Sequence, residues 1–296
     1  MPSSSDDSAT LASPAVAGTS QPLATQPPVW LRSKTPARVG LRRTGSSIAT
    51  PELLDFQLAH ARARDAVHAA LQPAGLMDEL RALLKTHGFA ASSNPILLHS
   101  AAKDRSTYLQ RPDLGRKLDD ASRDALHGPA EACGGLAIVI ADGLSALAVE
   151  RNAIALLAEL LPDLAQLEPG LSLAPIAIVE QGRVAVGDEV AHALAAQIAI
   201  VLIGERPGLS SPDSLGAYIT WQPRLGITSD AERNCISNIR DEGLSHSEAA
   251  FRLMHYIREA RSQQRTGIAL KDPEASTAAR SLQTGVEPTD KEASGQ

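Results

Sequence analysis

Three segments of the chain gather side chains that could do chemistry. The first is Gly204-Glu205-Arg206-Pro207-Gly208-Leu209-Ser210-Ser211-Pro212-Asp213-Ser214, where an acid and a base stand side by side at the start of a Gly, Pro and Ser run. Glycines let the backbone approach a ligand closely, and prolines hold a loop's shape without a regular ladder. The second is Asp142-Gly143-Leu144-Ser145. The third, Arg233-Asn234-Cys235-Ile236-Ser237-Asn238-Ile239, packs hydrogen-bonding side chains around one thiol. A nucleophilic thiol needs a base beside it. No histidine lies in this segment and His246 is the nearest in sequence, so Cys235 reads as a contact residue rather than a nucleophile. The plain alternative for the first loop is an exposed Glu205–Arg206 pair contributing under about 1 kcal/mol, with Ser210, Ser211, Asp213 and Ser214 capping a following helix.

The surrounding pattern says where these loops fall. Leu136–Ala141 is a continuous apolar run that leads into Asp142-Gly143-Leu144-Ser145 and then a helical stretch to Leu161. Ala174–Val179 and Ile198–Ile203 are further runs, with a helical segment from about Gly187 to Ala196 before the latter. Continuous β-branched runs separated by helices predict a parallel sheet covered on both faces. With right-handed crossovers the simplest topology is a doubly wound, Rossmann-like α/β layer, whose ligands bind beyond the carboxyl ends of the strands. Both the 142–145 and the 204–214 loops fall at that edge.

The expected organisation is a disordered arm over 1–29, rich in Ser, Ala, Pro and Thr, then a smaller helical N-terminal region over 30–130. The α/β domain follows over 131–271, with a flexible tail over 272–296. Thr50-Pro51-Glu52 has the form of a helix start. Leu53, Phe56, His60, Ala63, Val67 and Ala70 then share one stripe. On that stripe, His60 reads as a hydrogen-bonded core or interface residue. Ser245-x-x-Glu248 opens a last helix whose apolar face is Ala250, Leu253, Met254 and Ile257.

Composition narrows the function. A net charge of -6 gives no case for nucleic acid or a membrane surface, and 3% aromatic residues leave little for base stacking. No run approaches the roughly 18 apolar residues of a membrane span. Cys133 and Cys235 form no C-x-x-C, which argues against a thiolate zinc site or disulfide framework and for a reducing cytoplasm. There is no G-x-G-x-x-G after the first strand, no Walker-type loop and no H-E-x-x-H. D-x-H-x-x-G, which supplies a cobalt-ligating histidine in one class of B12 proteins, is also absent.

In order along the chain stand Ala37-Arg38-Val39-Gly40, His60-Ala61-Arg62-Ala63-Arg64-Asp65 and Tyr108-Leu109-Gln110-Arg111-Pro112-Asp113-Leu114-Gly115-Arg116. Asp142-Gly143-Leu144-Ser145, Gly182-Arg183-Val184, Gly204-Glu205-Arg206-Pro207-Gly208 and Cys235-Ile236-Ser237-Asn238-Ile239 follow. Each motif is weak alone. Their shared order over about 36–271 resembles the small (light) chain of ethanolamine ammonia-lyase.

That resemblance implies an adenosylcobalamin-dependent enzyme that turns ethanolamine into acetaldehyde and ammonia in ethanolamine catabolism. Cobalt–carbon homolysis gives a 5′-deoxyadenosyl radical, and the radical chemistry sits in a large partner subunit. The small chain has no catalytic residues of its own, holds no metal directly, and completes the cobalamin pocket at the subunit interface in a higher hetero-oligomer. Cobalt keeps the cofactor's dimethylbenzimidazole as lower ligand. The family's corrinoid-contacting positions fall here on Val184, Glu205 and Cys235, with Arg206, Ser237 and Asn238 as secondary candidates.

Two departures stand out. Arg42 occupies a position where the family usually has glycine. Residues 1–29 lack the amphipathic helix that directs some members into a bacterial microcompartment. Two other classes compete with this reading: a stand-alone Rossmann-like nucleotide-dependent transferase, for which Asp142-Gly143-Leu144-Ser145 is a poor phosphate loop, and a scaffolding protein, which leaves the polar loops unexplained.

Overall fold

The computed structural model describes residues 30, 34–35, 37–89, 94–126, 135–167 and 171–271. The arm expected over 1–29, the tail expected from 272 and Cys133 lie outside the described residues. The chain divides into two units, residues 1–57 and 58–296.

In the first unit, strands β1 (Arg43–Thr44) and β2 (Ser47–Ile48) pair antiparallel. Helix α1 (Thr50–His68) starts at the expected Thr50-Pro51-Glu52 and runs on beyond this unit. Arg42 Nε donates to Glu52 Oε1 at 2.6 Å, and Glu52 is buried. Arg42 therefore has a structural partner, an acid in the first turn of α1. Of the expected stripe on α1, Ala63 is buried, whereas Leu53 and Phe56 are 41% and 42% exposed.

The second unit is built on one six-stranded sheet. Its strands are β3 (Ile96–His99), β4 (Leu136–Ala141), β5 (Ala177–Glu180), β6 (Ile198–Gly204), β7 (Leu215–Trp221) and β8 (Arg233–Ile239), in the order β3-β5-β4-β6-β7-β8. The first four in that order are parallel, while β7 runs antiparallel to β6 and β8 to β7. The expected all-parallel sheet is thus corrected to a mixed one. The pattern read from β4 and β6 misses these strands because it looks for continuous apolar runs. Every residue of β4 and β6 is buried, but β8 mixes buried positions (Arg233, Asn234, Ile236, Ile239) with exposed ones (Cys235, Ser237, Asn238). Similarly, β3 is an edge strand inside the segment expected to be helical, with Leu97 43% exposed.

Helices α2 (Pro73–Thr86), α3 (Arg105–Gln110), α4 (Asp120–Leu126), α5 (Ala146–Ala165), α6 (Val186–Ala193) and α7 (His246–Gln263) complete the unit. On one sheet face, Ile138, Ile140, Ile200 and Leu202 pack with Leu156 and Leu160 of α5, Leu253 and Ile257 of α7, and Leu80 and Leu84 of α2. On the other, Val139, Ala141 and Val201 meet Val186 and Val190 of α6. Side chains alternate across a strand, so one residue type serves each layer. Ser145 caps α5 by accepting from Ala148 N–H, and Ser245 caps α7 by accepting from Glu248 N–H. Among the described residues no helix is long and apolar enough to cross a membrane.

Candidate functional site

The carboxyl ends of β4, β5 and β6 bring three loops together. Gly143, after β4, has φ +57°, and a Cβ there would lie 2.3 Å from the Gly204 carbonyl oxygen after β6. Only glycine combines that conformation with that approach. Leu144 N–H donates to Gly204 O at 2.9 Å, and the Ser145 hydroxyl donates to Pro212 O at 2.8 Å, fixing the 204–214 loop to the start of α5.

Asp142 ties in the third loop. Its Oδ1 accepts from Gly182 N–H at 3.1 Å, and Arg105 Nη1 from α3 lies 3.6 Å from its Oδ2. The same Nη1 donates to Gly143 O at 2.8 Å and to Gln181 Oε1 at 3.3 Å. Burial pushes the Asp142 carboxyl up to about 6, against the opposing pull of Arg105 and the backbone N–H donors of Gln181, Gly182 and Gly143. Beside this cluster stands Tyr108, with the guanidinium carbons of Arg105 and Arg183 4.8 and 4.4 Å from its ring centre. Such contacts favour a cation over an aromatic face. The Tyr108 hydroxyl donates to Gly182 O at 3.2 Å, and burial raises its pKa.

These elements enclose a cleft of about 270 Å³ lined by Tyr108, Arg183, Val184, Glu205, Arg206 and Tyr218, with backbone from 143–144 and 203–204. Two of the three expected contact residues, Val184 and Glu205, therefore share one cleft. Glu205 is held through one oxygen: Oε2 accepts from the Ser214 hydroxyl and from Asn238 N–H at 3.1 Å. Its Oε1 has no hydrogen bond among the described residues. Ser214 thus serves the carboxylate and does not cap a helix; strand β7 follows it.

Cys235 lies outside that lining. It is exposed on β8, directly opposite Tyr218 of β7, with its Sγ 3.3 Å from Ser237 Oγ. Opposed residues on an antiparallel pair share a face. Burial first, and then the thiol beside it, push the Tyr218 phenol up. The cleft and Cys235 are thus neighbours across a single tyrosine.

Sequence reasoning missed Arg105, Tyr108 and Tyr218. Tyr108 and Gly115 stand in the Tyr108–Arg116 motif, to which no role was attached. A Cβ on Gly115 would lie 2.9 Å from both Arg183 Cγ and the Tyr108 ring, and Gly115 O accepts from Arg183 N–H at 2.7 Å. The motif is a clamp on the loop that carries Val184.

The fold and the site define an α/β chain with a polar cleft at the carboxyl ends of its parallel strands. The cleft is lined by one carboxylate, two guanidiniums and the rings of two tyrosines, and the described residues hold no cluster of three or more His, Cys, Asp or Glu that could take a metal. The family model for the ethanolamine ammonia-lyase light chain (EutC) matches residues 26–271. An ethanolamine ammonia-lyase small subunit of Xanthomonas campestris pv. campestris strain B100 is 54% identical over 255 residues, covering 84% of this chain and 90% of the relative. Small subunits of the same name from Pseudomonas aeruginosa PAO1 and Pseudomonas fluorescens Pf-5 are each 54% identical over 245 residues. They cover 82% of this chain and 86% and 85% of the relatives. The chain belongs to the ethanolamine ammonia-lyase light-chain family, a family of lyase subunits.

Proposed function

We propose that this chain is the wall of an adenosylcobalamin pocket completed by the large subunit of an ethanolamine ammonia-lyase, which converts ethanolamine to acetaldehyde and ammonia. The doubly wound, Rossmann-like reading of the four parallel strands, with the binding edge at their carboxyl ends, belongs to the same proposal. The observation that carries it is Glu205: a carboxylate anchored through one oxygen, with the second left without a hydrogen bond in a preformed cleft. A corrin rim carries amide side chains, which present N–H donors to such an oxygen. Val184 and the exposed face around Cys235 offer small apolar contact beside it, and Arg183 and Arg206 offer donors to amide carbonyls. When bound, the cofactor supplies the radical that starts the reaction. This chain's residues hold and orient it and screen one side of it from water.

Equilibrium binding of adenosylcobalamin to the two-subunit complex tests the reading. Glu205→Ala is expected to weaken binding by roughly 1–3 kcal/mol, since it leaves an amide donor of the bound cofactor unpaired. An unchanged affinity would remove Glu205 from the pocket.

A further inference from the structure

A second, larger groove of about 690 Å³ adjoins the cleft. The two meet along two paths. Val184 lines the cleft and Ala185 lines the groove. On β8, Cys235 sits opposite the cleft residue Tyr218, and Arg233, two residues back on the same face, lines the groove.

The groove's charges are mostly matched internally. Arg233 makes a bidentate pair with Asp188, at 2.7 and 2.6 Å, and Arg123 pairs with Glu189. Arg116 and Lys117 are different. Both are exposed on the groove wall, and neither side chain has an ion pair or hydrogen bond among the described residues. Their backbone is held, because Gly115 O accepts from Arg183 N–H and Lys117 O accepts from Ala101 N–H. Across the groove, Thr228 Oγ1 accepts from Arg224 N–H at 2.7 Å, which leaves its own proton to donate. Two adjacent cations and a hydroxyl donor, in a groove whose lining continues that of the cleft from Val184 to Ala185, suit an anion tethered to a ligand seated in the cleft.

We propose that Arg116 and Lys117 bind the phosphodiester of the cofactor's nucleotide tail, with the tail lying in the groove while an edge of the corrin rim seats in the cleft. This rests on the cobalamin reading of the cleft. The groove then selects complete cobalamins over corrinoids that lack the nucleotide arm, through charge-assisted hydrogen bonds.

The test uses the two-subunit complex and two non-reacting probes, cyanocobalamin and dicyanocobinamide, the second lacking phosphate, ribose and base. Affinities are measured by equilibrium dialysis for wild type, the Arg116→Gln/Lys117→Gln double variant and Glu205→Ala. The double variant is expected to bind cyanocobalamin about tenfold or more weakly and to bind dicyanocobinamide as wild type does. Its cyanocobalamin affinity is also expected to fall less steeply with salt. Equal weakening of both probes, or an unchanged cyanocobalamin affinity, overturns the proposal. So does an unchanged affinity accompanied by thermal stabilisation of wild type, but not of the double variant, by inorganic phosphate; the cations would then serve a separate phosphate-bearing ligand. Glu205→Ala is expected to weaken both probes. If it weakens neither, the cleft reading fails, and that result is distinct from failure of the phosphate contact.

Discussion

At Glu205 the Ser214 hydroxyl and the Asn238 amide N–H hold one carboxylate oxygen. Glu205→Gln keeps an acceptor at the second, so it is expected to lose less cofactor affinity than Glu205→Ala in the same dialysis measurement; equal losses would say that charge, not the acceptor, is what binds. Asp142 gives a different kind of prediction. Burial raises its carboxyl from 3.8 to about 6, so the folded chain holds that proton more tightly than the unfolded chain. Its contribution to stability is fully present below pH 3.8 and is lost as pH rises through about 6. The loss is about 3 kcal/mol at 1.36 kcal/mol per pKa unit. Asp142→Asn cannot titrate, so denaturant unfolding at pH 4 and pH 7 should show the variant gaining on wild type by roughly that amount. A difference that does not change between the two pH values would show that Asp142 is not the group that titrates.

The loops between elements set the site's shape. Gly143→Ala places a Cβ against the Gly204 carbonyl at a backbone conformation that disfavours side chains. The expected outcome is a loss of about 1–3 kcal/mol in unfolding free energy, together with weaker cofactor binding, since the 142–145 and 204–206 loops are pushed apart. Thermal unfolding at wild-type temperature would contradict this. This scale also shows what could be read from sequence. The buried runs of β4 and β6 and the cap at Ser245 are legible because each is a local pattern. Strand β8 is not, since its exposed positions depend on a sheet face left open, and β7 is not, since its aliphatic positions are interrupted by Gly216, Tyr218 and Thr220 rather than forming one run. The Arg105–Tyr108–Arg183 stack was equally hidden: Arg105 and Arg183 are 78 residues apart and meet only when α3 docks against the β5–α6 loop. Glu205 is legible both from its polar loop at a strand end and from the family motif, and Val184 from the motif alone; the fold puts the two in one cleft, with Cys235, read as a contact residue from its own segment and the motif, one tyrosine away.

Taken whole, the chain gathers polar groups on one edge of its sheet, in a cleft that the proposed reading fills with a corrin rim, and an adjoining groove carries two cations without an ion pair among the described residues. On the proposed reading, the chemistry belongs to the larger partner and this chain completes the cofactor pocket. The most direct measurement is adenosylcobalamin-dependent deamination of ethanolamine by this chain alone, by the large subunit alone and by the two reconstituted together. The account predicts turnover in the mixture only; full activity of the large subunit by itself, or activity of this chain by itself, would contradict it.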